Sequence, residues 1–323
     1  MNESGPQRLS ITNRNLPITS ITTIFPSISI SNKSISFKIL NMVDGNESSN
    51  ALTFATNATF LRRALENSNV TGILITSDLK AGIEDDIQDK TFLISDDPIK
   101  HFFKLHNHLY ESTPFYDSIT NSKNEIPQSC KISSSAIIGK NVIIGEDCEV
   151  REGVVLNNTT IGSGVTIKEG AKVGTELSEL KMIDGKYFSV KHDASVIIGN
   201  DIEIGPNTII SRGIFGKDTV IENDTKICGG VIIGHRCHIG QNTFIAAGSN
   251  ICGSVKIGSN VWVGPGTIIT NGISIQDGAD LTIGSVVVDE VSAGEKVTGN
   301  FAIPHMNFML SWMRSKKNRK PSN

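Results

Sequence analysis

One period governs most of this chain. Reading every sixth residue from Phe215 gives Phe215, Ile221, Ile227, Ile233, Ile239, Ile245, Ile251, Ile257, Val263, Ile269, Ile275, Leu281 and Val287, all apolar. An earlier run holds Ile126, Ile132, Ile138, Ile144, Val150 and Leu156, then resumes one residue early as Ile161, Ile167 and Val173. A short third run, Ile198, Ile204 and Ile210, slips by one residue to Phe215. Neither an amphipathic helix nor a hairpin repeats every six residues, whereas a solenoid of short strands joined by tight turns does, with one aliphatic per strand facing inward.

Such hexads resemble the repeat of the left-handed parallel β-helix. That resemblance implies three hexads per triangular coil, so that residues eighteen apart stack at roughly 4.8 Å on neighbouring coils. It predicts one inner ladder through Phe215, Ile233, Ile251, Ile269 and Val287 and a second through Ile221, Ile239, Ile257 and Ile275. Glycine often follows the inward aliphatic, as in Ile233-Gly234 and Ile204-Gly205. These glycines, with nearby Asn and Asp, suit turns that need positive φ.

Composition narrows the function classes. The 323 residues carry 30 Lys and Arg against 33 Asp and Glu, a net charge of −3. That balance gives no reason to expect nucleic acid or bulk membrane attraction as the mode of action. No apolar run approaches the length of a spanning helix. Met1 to Asn15 has no apolar block with a small-residue cleavage site, so a cytoplasmic location is expected. The cysteines Cys130, Cys148, Cys228, Cys237 and Cys252 are odd in number and form no C-x-x-C pair, which argues against a disulfide framework or zinc ribbon.

The chain divides into four parts by pattern. Residues 1–112 read as a small α/β domain, with strands at 35–40 and 72–77 and helices at 59–68 and 96–112. Residues 113–128 form a linker with two prolines, and 129–298 the repeat domain, interrupted at 175–196 by a charged segment containing Asp184-Gly185. Residues 299–323 read as a short helix and a basic tail, Arg314, Lys316, Lys317, Arg319 and Lys320. The fold class is therefore mainly β: a left-handed parallel β-helix with a small N-terminal α/β domain and a short C-terminal helix.

A solenoid of this kind can be an enzyme, a binding scaffold or a spacer, so function rests on the residues that break its monotony. The densest cluster is His235-Arg236-Cys237-His238, between two inward aliphatics. His235 follows Ile233 by two residues, which places it near an outer corner, while His238 precedes Ile239. Residues 233–258 resemble the corresponding stretch of the UDP-3-O-acylglucosamine N-acyltransferase family, and His235 falls on that family's catalytic histidine. The stretch LTFATNATF (52–60) resembles its uracil-holding segment, with Phe54 and Phe60 on the bracketing rings and Asn57 on the amide that meets the base edge. Arg212 is retained, but Ser211 stands where the family has an acidic residue and Gly272 where it has a second histidine.

The resemblance implies N-acyl transfer from a thioester, acyl-CoA or acyl carrier protein, to the amine of a UDP- or dTDP-linked amino sugar for surface glycans. His235 would be the general base, with Arg212 at the substrate; by coil stacking Gly253, eighteen residues beyond His235, is a candidate to hold the oxyanion through its N–H, and His238 is a further candidate at the substrate. It also implies a homotrimer and requires no metal. The departures favour acyl-CoA and an amino sugar other than the lipid A precursor; the lipid A reaction is the alternative. A zinc-dependent rival, the γ-carbonic anhydrases, shares an H-G-C-x-I-G-like stretch, but its neighbouring histidine corresponds to Gly230. Three histidines make such a site. A non-enzymatic scaffold is the remaining alternative.

Overall fold

In the computed structural model, residues 14–31, 35–45, 48–83, 89–116, 124–299, 302 and 304–318 are described. The opening segment up to Asn13 and the end of the basic tail, Arg319 and Lys320, lie outside the described residues.

The hexads build a three-faced left-handed parallel β-helix. Its faces are parallel sheets of seven, eight and nine strands, each strand two to four residues long. Chain continuity carries each coil from the nine-stranded face to the eight-stranded and then the seven-stranded one, so every strand pairs with its counterpart on the next coil. On the seven-stranded face Ile198, Ile221, Ile239, Ile257 and Ile275 stand in register. On the eight-stranded face the ladder is Val173, Ile210, Ile233, Ile251, Ile269 and Val287. These side chains form one continuous aliphatic core. Its driving force is removal of aliphatic surface from water at about 25 cal/mol per Å².

Phe215 is not part of that ladder; Ile210 pairs with Ile233 in its stead. The step from Ile210 to Ile221 is longer than a hexad because residues 212–218 leave the coil, with a bridge between Ile214 and Lys217. Phe215 turns outward and packs against Phe102, Phe103 and His106 of the N-terminal domain, with ring centroids 5.4, 5.8 and 4.7 Å away. A ring of that size is thus accommodated between domains instead of inside a prism filled by Ile and Val. Ile126, the first residue of the sequence run, is 40% exposed because the open end of the helix provides no coil beneath it.

The glycines after the inward aliphatics also differ from expectation. Gly234 and Gly205 do not have positive φ; a Cβ on Gly205 would lie 2.4 Å from the Cys228 carbonyl carbon of the next coil. Close approach of stacked backbones explains them. Positive φ falls two residues further on, mainly at Asn, Asp and Gly, for example Asn242 and Asn260. Immediately after the positive-φ residues, buried Thr225, Thr243 and Ser249 donate to the Gly240, Gly258 and Gly264 carbonyls of the succeeding coil. Cys237 does the same toward Cys252, and burial pushes its thiol up to about 12. It is a packing residue with no thiolate to offer.

The N-terminal domain has a five-stranded sheet, in the order Ser29–Ile30, Thr91–Ile94, Val70–Ile75, Ala51–Phe54 and Ile39–Leu40. The segment read as one strand at 35–40 is split: Ser36–Phe37 pairs with Leu16–Pro17, and only Ile39–Leu40 joins the main sheet. Helices α1 (Ile18–Ile24), α2 (Ala58–Glu66), α3 (Ser77–Ala81) and α4 (Pro98–Ser112) surround it. The C-terminal helix is His305–Asn318.

Residues 175–196 project from the coil as an antiparallel hairpin of Glu179–Ile183 and Lys186–Val190, turning at Asp184-Gly185. Helix α4 holds it along one polar stripe, Lys100, Lys104, Asn107 and Glu111, whose spacing places them on one helix face. Lys100 and Lys104 contact the tip at Asp184, 2.8 and 3.2 Å away. Asn107 donates to the Ser189 carbonyl and accepts from the Lys191 N–H, and Glu111 pairs with the Lys191 ammonium. The hairpin base is thereby brought over the corner that carries His235.

Candidate functional site

The corner after Ile233 is made by Gly234-His235-Arg236. His235 holds the neighbouring coil through its carbonyl, which accepts the Ser254 N–H at 2.7 Å. Its side chain is 18% exposed and opens into a cavity of about 530 Å³. The coil contributes Gly234, Arg236, Asn250, Gly253, Ser254 and Asn271; the hairpin base contributes Leu177, Glu179 and Lys181; the N-terminal domain contributes Met42 and Phe103. A cleft between domains, part apolar and part polar, is the usual form of a small-molecule site.

Gly253 is directly beneath the imidazole. A Cβ there would stand 2.6 Å from His235 Cε1 and 2.7 Å from Nε2. The ring can occupy its position only because that coil position has no side chain. Among the described residues the Gly253 N–H has no hydrogen-bond acceptor.

The hairpin supplies the charges around His235. Glu179 Oε2 is 3.8 Å from His235 Nε2, while Glu179 Oε1 pairs with the Lys181 ammonium at 2.7 Å. Burial lowers the His235 pKa from its ordinary value; Glu179 opposes that, and the Arg236 and Lys181 cations reinforce it. Burial thus favours the neutral form of the His235 imidazole. A second imidazole, His192 from the end of the insertion, meets it edge to face with ring centroids 5.7 Å apart. The His192 side chain is 1% exposed, and neither ring nitrogen has a hydrogen-bond partner among the described residues. Burial, then the His235 and Arg212 charges, lower its pKa to about 4.

The residues singled out from sequence are not all gathered here. His235 and Gly253 share the cavity. His238 points outward from the seven-stranded face, half exposed, and its Nε2 meets Glu222 Oε1 at 2.8 Å. Arg212 is buried outside the cavity, bonded to Glu176 and to the Tyr110 hydroxyl at 2.9 Å, and ties the coil to α4 and the insertion. Phe54 packs in the N-terminal core against Phe102 and Phe103, at 4.8 and 5.7 Å between centroids. Asn57 is the N-cap of α2, its Oδ1 accepting the Phe60 N–H at 3.0 Å, and Phe60 is 41% exposed on the first turn. One connection of this segment to the His235 cavity is through Phe103, which touches Phe54 and lines the cavity.

Sequence reading passed over Glu179, Lys181 and His192, and gave Arg236 no role beyond its place in the cluster. The first three lie in the non-periodic insertion, where no repeat register indicates which side chain faces the coil. Among the described residues no group of three or more His, Cys, Asp or Glu is placed to hold a metal ion.

Comparison with known proteins agrees with the repeat. The pattern of the bacterial transferase hexapeptide (six repeats) matches residues 218–253. The chain is similar to the UDP-3-O-acylglucosamine N-acyltransferase of Neisseria meningitidis serogroup B, 30% identical over 186 residues, covering 50% of this chain and 53% of the relative. The enzyme of that name from Methylobacillus flagellatus is 26% identical over 212 residues, covering 58% and 59%. The chain thus spans a little over half the length of these relatives. A solved Francisella novicida UDP-N-acetylglucosamine acyltransferase is 23% identical with a TM-score of 0.45, covering 62% of this chain and 74% of that one.

Proposed function

We propose that the protein is an N-acyltransferase, moving an acyl group from a thioester to the amine of a nucleotide-linked amino sugar. The observation that carries this reading is the pairing, in one interdomain cavity, of the His235 imidazole with the unengaged Gly253 N–H directly beneath it. The names of the relatives favour a UDP-linked glucosamine derivative, the alternative of the sequence reading, over a dTDP-linked sugar. The donor is an acyl-CoA or an acyl carrier protein thioester.

The chemistry needs one base. The sugar amine attacks the thioester carbon as a proton passes from nitrogen to the His235 imidazole, forming the C–N bond and a tetrahedral oxyanion. The Gly253 N–H, free of other acceptors, is suited to hold that oxyanion. Collapse breaks the C–S bond, and the imidazolium returns its proton to the departing thiolate, so that an amide and a free thiol leave. Glu179, 3.8 Å from Nε2, stabilises the imidazolium in between. No covalent enzyme intermediate is needed, in keeping with the inert Cys237 thiol.

Phe54, Asn57 and Phe60 are proposed to hold the nucleotide base. With Oδ1 engaged as a cap, Asn57 has its amide hydrogens left for a base carbonyl, and Phe60 is exposed enough to stack. Arg212 is assigned to keep the insertion in place near the substrate, and His238 to the outer rim. A homotrimer fits the exposed apolar side chains Trp262, Ile268 and Val286 on the outer faces of the prism. A cytoplasmic location belongs to the same proposal; among the described residues no helix is long and apolar enough to cross a membrane.

The deciding experiment is a thiol-release assay crossing acyl-CoA and acyl carrier protein donors with UDP- and dTDP-linked amino sugars. Turnover that falls ~10²-fold or more in His235→Ala, with acceptor binding retained, is expected. No thiol release with any pair would leave the scaffold reading in its place.

A further inference from the structure

The coil corners follow a rule with few exceptions, and one of them is next to His235. Among the described residues, apart from Phe215, Arg236 and Ser254, every non-glycine residue with positive φ is Asn or Asp. Those short side chains tolerate the left-handed region, and a long one such as Arg is disfavoured there. Arg236 nevertheless occupies it, at φ 59°. Phe215 repays its strained backbone by joining the core between the domains. Arg236 has no such return: its residue is 7% exposed, and Nε is buried without a hydrogen-bond partner.

Its charge is also uncompensated. The cavity contains one carboxylate on the His235 side, Glu179, and that carboxylate pairs with Lys181 at 2.7 Å. Among the described residues no ion pair neutralises Arg236, which lines the same cavity as His235. Strain, burial and a lone guanidinium beside a candidate base are costs that a bound anion would offset.

We propose that Arg236 is a specificity-determining residue that receives the sugar-linked phosphate of the acceptor. The inference rests on the acyltransferase reading above and narrows it. In a UDP-linked 2-amino sugar the amine is on the carbon next to the one bearing the phosphate, so a base and a guanidinium on adjacent residues can meet the two groups together. In a 4-amino sugar the amine is across the ring from the phosphate, and the same pair cannot serve both. The thioester donor offers no rival anion nearby, because the pantetheine arm separates its phosphates from the reacting carbon. Arg236 thereby selects sugars whose amine neighbours the phosphate.

The test compares wild type with Arg236→Asn and Arg236→Lys. UDP-linked 2-amino sugar, UDP-linked 4-amino sugar and unphosphorylated glucosamine are the acceptors. For the UDP-linked 2-amino sugar, Arg236→Asn is expected to raise KM roughly 10- to 100-fold, with Arg236→Lys intermediate. At a pH well above the His235 titration, turnover of free glucosamine should fall far less than turnover of the UDP-linked sugar, and melting temperature should not fall, because Asn suits the corner. A merely structural arginine would give the opposite: a lower melting temperature and equal losses on all acceptors. Unchanged KM, or a fall in kcat alone, overturns the inference while leaving the acyltransferase reading intact. If wild type turns over no acceptor, calorimetry with UDP-glucosamine separates the two: weaker binding to Arg236→Asn upholds the phosphate contact, and equal or absent binding overturns it.

Discussion

Glu179 and His235 lie on different elements, one at the base of the hairpin and one at a corner of the coil, yet the carboxylate stands 3.8 Å from the imidazole Nε2. At that distance the attraction is electrostatic rather than a direct hydrogen bond. It raises the His235 pKa against the larger lowering by burial. Glu179→Gln removes the opposing charge, so the His235 pKa falls further. The acidic limb of the pH–rate profile should move to lower pH, because the base is then neutral sooner as pH rises. The plateau should drop roughly tenfold as the imidazolium loses its counter-charge. A plateau rate equal to wild type would remove Glu179 from the site.

Gly253→Ala separates stability from activity. The added methyl meets the His235 ring, not the backbone, so the imidazole can swing away at little cost to the coil. Gly253 does not have positive φ, and alanine is therefore compatible with its backbone. The expected result is a melting temperature close to wild type and a loss of turnover of roughly 10²-fold or more, since the base is displaced from its working position. Retained turnover would show that His235 is not the base.

These two residues also mark where sequence could and could not be read. The hexads fix three faces, their register and the corner position of His235, because each inward aliphatic repeats at the same place on each coil. Gly253 follows from the same register. Phe215 deceived it: an apolar residue in phase with the run occupies an outward loop, since period alone cannot distinguish a hexad from a longer excursion ending on an apolar residue. Glu179 and His192 were illegible for another reason. Their approach to His235 depends on how α4 holds the hairpin, through Asn107, Lys100 and Lys104, a tertiary contact with no local signature. The polar stripe on α4 becomes meaningful only beside Asp184.

The hairpin clamp predicts an action at a distance. Lys100 and Lys104 hold Asp184 and lower its pKa by hydrogen bonding to the carboxylate. All three groups are accessible to solvent, so salt should screen the clamp. Asp184→Asn keeps a residue that tolerates the left-handed turn while removing the charge. A few-fold lower kcat is expected at low ionic strength, converging on wild type at high salt, as the loosened hairpin holds Glu179 less firmly over His235. A defect that persists unchanged at high salt would mean that the turn, and not the ion pairs, sets the hairpin position.

His192 makes stability depend on pH in a way that can be isolated. Folded, its pKa is about 4, set first by burial and then by the His235 and Arg212 charges. Unfolded, an imidazole titrates near ~6.5. Between those values the unfolded chain binds a proton that the folded one refuses, so this contribution to stability is complete above the unfolded pKa, declines as pH falls toward 4, and changes no further below it. The separation amounts to about 3 kcal/mol across the window. His192→Phe keeps a ring against His235 but cannot titrate. The variant should therefore lose less melting temperature than wild type between pH 7.5 and pH 4.5, even though His101 and His106, also lowered by burial, continue to titrate in both proteins. Equal losses in the two proteins would show that His192 takes up its proton in the folded state as readily as in the unfolded chain.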